Sequence, residues 1–84
     1  MDNSEVLDRV IKLFAVMTEA ENIHADSELV EDLDISSMDI LLLVSGIEEE
    51  FSIKISEREI RKMITVGDVV DVIKLLMEKQ ANKK

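Results

Sequence analysis

The sequence predicts an all-α fold: a small antiparallel bundle of three longer helices plus one short helix, with a long loop between the first and second helices. Apolar residues recur at helical spacing in several segments, which are separated by capping or turn residues. Hydrophobic residues make up 46% of the chain but only Phe14 and Phe51 are aromatic, so the core must be aliphatic, which suits helices packed on helices. A chain of 84 residues supports one small core, so residues 1–84 are predicted to form a single domain.

The first helix is predicted to run from Glu5 to about Thr18, with Ser4 as its N-cap. Its apolar residues are spaced three and four apart: Val6, Leu7, Val10, Ile11, Leu13, Phe14 and Met17. This spacing places them on one broad stripe, which indicates a helix with one buried face.

The residues from Glu19 to Ser36 are rich in acids and show no sustained helix or strand period. We predict a long loop there, held to the core by Ile23, Leu29 and Leu33. Loops longer than about 12 to 15 residues are uncommon in compact domains and often carry function. The loop and the residues that follow it are therefore candidates for a functional site.

The second helix is predicted to start at Ser36 or Ser37 and to end at Phe51. It is more apolar than one buried face requires. One set of side chains can share the inward face: Ile40, Leu43, Val44, Ile47 and Phe51. The others then lie partly toward solvent or a partner: Met38, Leu41 and Leu42. A deep core that buries them as well is an alternative that the sequence leaves open.

A short helix follows the connection from Ser52 to Ile55. Ser56 and Glu59 have the S-x-x-E spacing of a capping box, which satisfies two backbone amides and so marks a helix start. We predict that this helix continues through Met63 and up to Ile64.

The last helix has the clearest helical period in the chain. Thr65 is predicted to cap it, and its apolar residues are Val66, Val69, Val70, Ile73, Leu76 and Met77. Residues 80–84 lack a strong apolar anchor, so we predict a frayed tail there.

Negative charge is concentrated in the middle of the chain. Eleven acids and no lysine or arginine lie between Leu13 and Ile53, in a chain of net charge −9. Such a field repels nucleic acid and anionic membranes and attracts partners with basic surfaces. An acidic surface that serves only solubility is the plainer alternative.

The amino terminus lacks the basic and apolar segments of a secretory signal. No apolar stretch approaches the roughly 20 residues needed to cross a bilayer. We therefore expect a cytoplasmic protein that is monomeric and does not insert stably into membranes.

Counting residue types excludes most catalytic and metal sites. The chain has no cysteine and a single histidine, His24, which excludes a thiolate metal site and a cysteine nucleophile. The acids of the loop do not have the spacing of a calcium-binding loop. A hydrolase that pairs His24 with a serine would lack an oxyanion hole, so we expect neither an enzyme nor a metal protein.

The pair Ser36-Ser37 lies where the acidic loop meets the apolar helix. As N-cap, Ser36 would satisfy a first-turn amide and contribute about 1 kcal/mol. A serine at a helix N-terminus is also exposed, and a phosphodiester on it would face free N–H groups and the positive end of the helix dipole. The two roles are compatible.

The segment Leu33-Asp34-Ile35-Ser36-Ser37-Met38-Asp39, followed by Ile47-Glu48-Glu49-Glu50-Phe51, resembles the acyl carrier protein family. That family has an acid-rich loop, then Asp-Ser-Leu-Asp or similar, then a helix that ends in acids and an aromatic residue. Thr65-Val66-Gly67-Asp68-Val69-Val70 is similar to the family's entry into its last helix. The resemblance extends in register from about Asp26 to Ile73.

The resemblance implies that Ser37 accepts 4′-phosphopantetheine, whose thiol holds an acyl group as a thioester. A phosphopantetheinyl transferase would attach the group, and acyl-loading and acyl-transferring enzymes with basic docking surfaces would use it. The residues implied in partner binding are Asp34, Ser36, Met38, Asp39, Leu41, Leu42, Glu48 and Glu49. The residues implied in sheltering an acyl chain are Ile40, Leu43, Val44, Ile47, Ile60 and Val69. An ordinary closed core is the alternative for this last set.

Two residues depart from the family pattern. Ser36 stands where the family usually has an aspartate that helps contact the modifying transferase, although Asp34 could compensate. Leu42 stands where fatty-acid carriers often have an acid. Both departures favour a free-standing carrier in a dedicated lipid or secondary-metabolite pathway.

Two alternatives stay open. An amino-acyl or D-alanyl carrier uses the same serine and the same arm, so the sequence does not separate it from an acyl carrier. An unmodified helical adaptor would keep the fold and lose the arm, and Ser36 in place of aspartate is the feature that allows this.

Overall fold

The computed structural model describes residues 3–18 and 20–82. The helices in these residues are Asn3–Met17 (α1), Ser37–Phe51 (α2), Glu57–Arg61 (α3) and Val66–Asn82 (α4). The described part of the chain contains no strand, and its one isolated β-bridge joins Glu28 to Thr65. The predicted all-α fold, with a long loop between the first two helices, is confirmed.

α1 packs against both α4 and α2 and so forms the centre of the bundle. The core is aliphatic apart from Phe14 and Phe51, as the composition predicts. Its fully buried side chains from the three longer helices are Val6, Val10, Phe14, Leu43, Ile47, Val66, Val69 and Ile73. Within the described ranges, no helix is long and apolar enough to cross a membrane.

The long loop is held to the core by the side chains that the sequence indicates. Leu29 and Leu33 are buried and Ile23 is partly buried against the core. Ile35 is also buried, which the absence of a periodic pattern concealed. The predicted first residue of the loop, Glu19, lies outside the described residues.

Backbone hydrogen bonds tie this loop to the junction of α3 and α4. The amide of Leu29 donates to the carbonyl of Ile64 at 2.9 Å. Two amides of α4 donate back to the loop, Val66 to Ser27 at 2.9 Å and Gly67 to Ala25 at 2.7 Å. We call these three bonds the loop clamp: Leu29–Ile64, Val66–Ser27 and Gly67–Ala25. A Cβ at Gly67 would lie 3.1 Å from the Ala25 oxygen, so glycine suits this close approach.

Both predicted caps of the second half are present. Ser56 and Glu59 form a complete capping box at α3. Thr65 Oγ1 accepts a hydrogen bond from the amide of Asp68 at 3.1 Å, which confirms the cap of α4. The carboxylate of Asp68 reciprocates by accepting from the amides of Ile64 and Thr65, at 2.9 and 3.0 Å.

Two predicted boundaries are wrong. α1 begins at Asn3, so Ser4 lies inside the helix and does not cap it. α3 ends at Arg61 with Lys62 as its C-cap, because the amide of Ile64 bonds to Asp68 and so belongs to the start of α4.

Residues 80–82 of the predicted frayed tail are helical, and fraying itself stays a prediction. α4 continues to Asn82, and the Gln80 side chain donates to the carbonyl of Ser52 at 3.1 Å. A polar anchor thus replaces the apolar anchor that the sequence lacks. Residues 83 and 84 of the predicted tail lie outside the described residues.

Candidate functional site

Ser37 is the first residue of α2, and Ser36 immediately before it is the N-cap. Ser36 has extended backbone angles, φ −78° and ψ 167°, and its hydroxyl accepts a hydrogen bond from the amide of Asp39 at 3.2 Å. Its carbonyl accepts from the amide of Ile40 at 3.0 Å. The side chain of Ser37 takes no part in this cap and is exposed. The cap and the exposed hydroxyl therefore belong to different serines.

The first turn of α2 offers hydrogen-bond donors to an anion on Ser37. The amides of Asp39 and Ile40 are satisfied by Ser36, while those of Ser37 and Met38 come too early in the helix to reach an intrahelical carbonyl. These two amides lie at the positive end of the dipole of a 15-residue helix. An exposed hydroxyl beside two free donors fits a phosphodiester.

The approach to Ser36 is fixed by the loop. Asp34 is exposed and has a positive φ of 54°, a left-handed conformation that aspartate tolerates better than most residues. Ile35 then turns inward, where it is buried, and its amide donates to the carbonyl of Leu29 at 3.0 Å. Asp34 and Asp39 line the same open cavity of about 370 Å³. Two of the predicted partner-binding acids are thus brought to one surface beside Ser36.

The outward face of α2 is apolar next to Ser37. Met38, Leu41 and Leu42 are 76%, 59% and 62% exposed, as the inward-facing pattern of the helix predicts. The alternative in which a deep core buries them is wrong. These three exposed side chains, at positions i, i+3 and i+4 of α2, form an apolar patch of the kind that partners bind.

The acids at the end of α2 have different surroundings. Glu49 is exposed. Glu48 is half-buried, and its Oε2 accepts a hydrogen bond from the amide of Ile55 at 2.7 Å. Glu50 forms an ion pair with Arg9 of α1 at 3.4 Å, so a base from outside the acidic segment reaches this surface. Sequence reasoning grouped Glu48 with Glu49 and missed the bond that Glu48 makes within the protein.

The six residues predicted to shelter an acyl chain all belong to the hydrophobic core. Leu43, Val44, Ile47 and Val69 are buried. Ile40 and Ile60 are partly buried and pack against them at its edge. The structure thus places all six in or against the same hydrophobic core.

Among the described residues, the two acids with shifted pKa values, Glu59 and Asp68, lie at the caps of α3 and α4. The hydrogen bond from the Ser56 amide lowers the pKa of Glu59 below its usual range. Hydrogen bonds from the amides of Thr65 and Ile64 lower the pKa of Asp68. Both shifts reflect capping, because a carboxylate that accepts backbone N–H bonds is stabilised in its charged form.

Comparison with known families and proteins points to one group. The family model described as a phosphopantetheine attachment site matches residues 4–73. An acyl carrier protein of Borreliella burgdorferi is 41% identical over 76 residues, covering 88% of this chain and 95% of that protein. An acyl carrier protein of Campylobacter hominis is 40% identical over 72 residues, covering 86% and 89%.

Solved structures agree on the fold. The acyl carrier protein of Enterococcus faecalis superposes with a TM-score of 0.77 at 29% identity, covering 90% of this chain and 99% of that one. The acyl carrier protein of Thermotoga maritima gives a TM-score of 0.81 at 23% identity, covering 95% of both chains. The four-helix arrangement described above is therefore shared with proteins whose sequences differ at most positions.

Proposed function

The chain belongs to the acyl carrier protein family, and from that premise we propose that it is a free-standing acyl carrier whose 4′-phosphopantetheine is attached to Ser37. Members of this family are carriers and not enzymes, and they bear 4′-phosphopantetheine as their prosthetic group. When bound, that group supplies a thiol that holds an acyl chain as a thioester.

One observation supports Ser37 above the other serines. Ser37 is exposed at the first position of a 15-residue helix, while Ser36 uses its hydroxyl as the cap. The Ser37 Oγ is therefore free to form the phosphodiester, and the amides of Ser37 and Met38 would donate to its oxygens. The positive end of the α2 dipole favours that negative charge further.

The outward surface of α2 would dock the partner enzymes. Asp34, Asp39 and Glu49 are exposed acids that attract a basic surface and speed encounter. Apolar contact would come from the patch of Met38, Leu41 and Leu42. The partners proposed here are a phosphopantetheinyl transferase and the enzymes that load and transfer the acyl group.

The kind of pathway is inferred from the exposed side chain of Leu42. An exposed leucine in the middle of the docking surface suits an enzyme with an apolar contact at that point, since a basic side chain there would gain no ion pair. We propose a dedicated lipid or secondary-metabolite pathway for this carrier on that ground.

The edge of the hydrophobic core would receive the acyl chain. Ile40 and Ile60 are partly buried and pack against the core, in which Leu43, Ile47 and Val69 are buried. Aliphatic side chains can separate to admit an acyl chain at a lower cost than interlocked aromatic rings. We propose that a short acyl chain is sheltered at this edge.

The loading reaction tests the acyl assignment. The phosphopantetheinylated protein is incubated with ATP and an acyl-carrier ligase and fatty acids, and in parallel with D-alanine and its carrier ligase. We expect a mass gain from the fatty acid that hydroxylamine removes, as thioesters require. A gain from D-alanine alone would assign an amino-acyl carrier, and no gain from either would contradict a carrier function.

A further inference from the structure

The segment around α3 is joined to the rest of the protein in an unusual way. None of the residues of α3 is buried, and only Ile60 packs partly against the core. The segment is held by backbone bonds at its two ends, at Ile53 and at Ile64. We propose that residues 54–63 form a lid over the core, and that the hydrogen bond between Glu48 and Ile55 is the latch that keeps this lid closed.

Backbone hydrogen bonds fix both ends of the lid, and a bond to a side chain adds to one of them. The amide of Ile53 donates to the carbonyl of Glu48 at 3.1 Å, which secures that end to α2. At the other end, the carbonyl of Ile64 accepts from Leu29 in the loop clamp, and the amide of Ile64 donates to Asp68 at 2.9 Å. These tethers let the lid lift from the core without sliding along it.

Between the tethers, one hydrogen bond links the lid to the rest of the described chain. It is the bond from the Ile55 amide to Glu48 Oε2, at 2.7 Å. The other hydrogen bonds of the lid lie within it, such as the capping box of Ser56 and Glu59 and the bond from Arg61 to Glu57. The remaining attachment is apolar, through Ile55, Ile60 and Met63, together with the electrostatic attraction between Glu59 and Lys79 of α4.

The latch differs from the backbone tethers, at the Ile53 amide and the Ile64 carbonyl, because a side chain supplies its acceptor. Glu48 lines an open groove of about 580 Å³, together with Glu49, Lys54 and Lys79. A side chain on such a groove can change rotamer without unfolding α2, whereas a backbone tether cannot be released so locally. Loss of this one bond would leave the Ile55 amide without its acceptor and weaken the attachment of the lid to the core.

The lid gives a role to Glu48 that a docking charge does not. Lifting residues 54–63 withdraws Ile55, Ile60 and Met63 from the core and opens an apolar route into it. That an acyl chain uses this route rests on the proposed function, whereas the latch itself does not. Glu48 acts here as a positioning residue.

The test uses the unmodified full-length protein, so that its outcome is independent of Ser37. Amide hydrogen exchange is followed by NMR for Glu48→Ala, Glu48→Asp, Glu48→Gln and the matched control Glu49→Ala. Aspartate keeps the charge but is one methylene too short to reach, while glutamine keeps an oxygen at the same reach. The comparison therefore separates reach from charge.

We expect Glu48→Ala and Glu48→Asp to speed exchange of the Ile55 amide about tenfold, since a buried amide loses its acceptor. The amides of Ile60 and Met63 should follow, while those of Val66 and Gly67 in the loop clamp keep their rates. Glu48→Gln should stay within about threefold of the native protein and Glu49→Ala should match it.

Two results would overturn the latch. Equal Ile55 rates in the Glu48 and Glu49 variants would show that the bond does not hold the lid. An equal acceleration at Ile55 and Val66 would show global destabilisation with no separate lid. If Glu48→Ala fails to fold, Glu48→Asp against Glu49→Asp gives the same decision.

Discussion

The hydroxyl of Ser36 accepts a hydrogen bond from the backbone amide of Asp39 at 3.2 Å. An aspartate, the usual residue of the family at this position, caps a helix through the same type of bond. Serine therefore preserves the start of α2 and removes one negative charge beside Ser37. The departure at position 36 leaves the cap intact, and we predict that it acts through charge recognition alone.

Replacing Ser36 with alanine should lower the free energy of unfolding by about 1 kcal/mol, because the amide of Asp39 loses its acceptor. Urea denaturation measures this change. Ser36→Asp should retain the cap and stay close to the native value. Ser37→Ala is the matched control and should change stability by less than about 0.5 kcal/mol, because that side chain is exposed. Equal losses in the two alanine variants would contradict the division of roles.

Replacing Leu42 with glutamate should impair the enzymes that use an apolar contact at this point. We expect kcat/KM to fall about tenfold for the cognate loading enzyme, the cost of one lost contact of roughly 1.4 kcal/mol. Stability should stay within about 0.5 kcal/mol, since the side chain is exposed. Ser45→Glu adds the same charge at another exposed site of α2 and serves as control. Unchanged kinetics with every candidate partner would exclude the apolar footprint.

We expect acid to remove the stability that the Asp68 carboxylate contributes to the folded state. Its pKa is lowered by the amides of Thr65 and Ile64, so the folded state holds the carboxylate more strongly than the unfolded chain does. The stability this adds is present in full above the ordinary value of 3.8 and is lost as the pH falls through the lower folded-state pKa.

Asp68→Asn should therefore lose about 1 kcal/mol near neutral pH and show a weaker decline of stability toward about pH 3. Urea unfolding across this range measures the slope. Asp71→Asn, at an exposed position on the same helix, is the control and should keep the native slope. An identical slope in both variants would contradict the assignment to the α4 cap.

Replacing Ser52 with glycine should raise the free energy of unfolding by about 0.5–1 kcal/mol. Ser52 ends α2 with φ 55° and ψ 48°, a left-handed conformation that glycine adopts without the steric cost of a Cβ. Lys54→Gly is the control: Lys54 is not among the described residues with positive φ, so glycine there should only destabilise. In thermal and urea unfolding, Ser52→Gly should be more stable than the native protein and Lys54→Gly less stable. A loss of stability in Ser52→Gly would contradict this account.

Local signals predicted most of α2 and the later caps. The inward face of α2 follows from apolar residues at helical spacing, of which Leu43, Val44, Ile47 and Phe51 are buried. The caps at Ser56 and Thr65 follow from side chains that reach amides three residues away. Such features depend on neighbours in the sequence, so a single sequence contains them.

Features formed between distant segments could not be predicted from the sequence in this way. The loop clamp is made of backbone groups, and its one sequence signal is the small residue Gly67. Ile53 and Ile55 are buried without a helical period, because tertiary contacts and not helix geometry set their burial. Nothing in a run of three glutamates reveals that Glu48 binds Ile55. The position of Ser37 was predictable, whereas the role of Glu48 required the structure.

Intact mass measurement tests the central claim most directly. The purified protein is incubated with coenzyme A, Mg²⁺ and a broad-specificity phosphopantetheinyl transferase, with Ser37→Ala as the control. The account predicts a gain of one phosphopantetheine in the native chain and no gain in the variant. No gain with several transferases, or an equal gain in Ser37→Ala, would contradict attachment at Ser37.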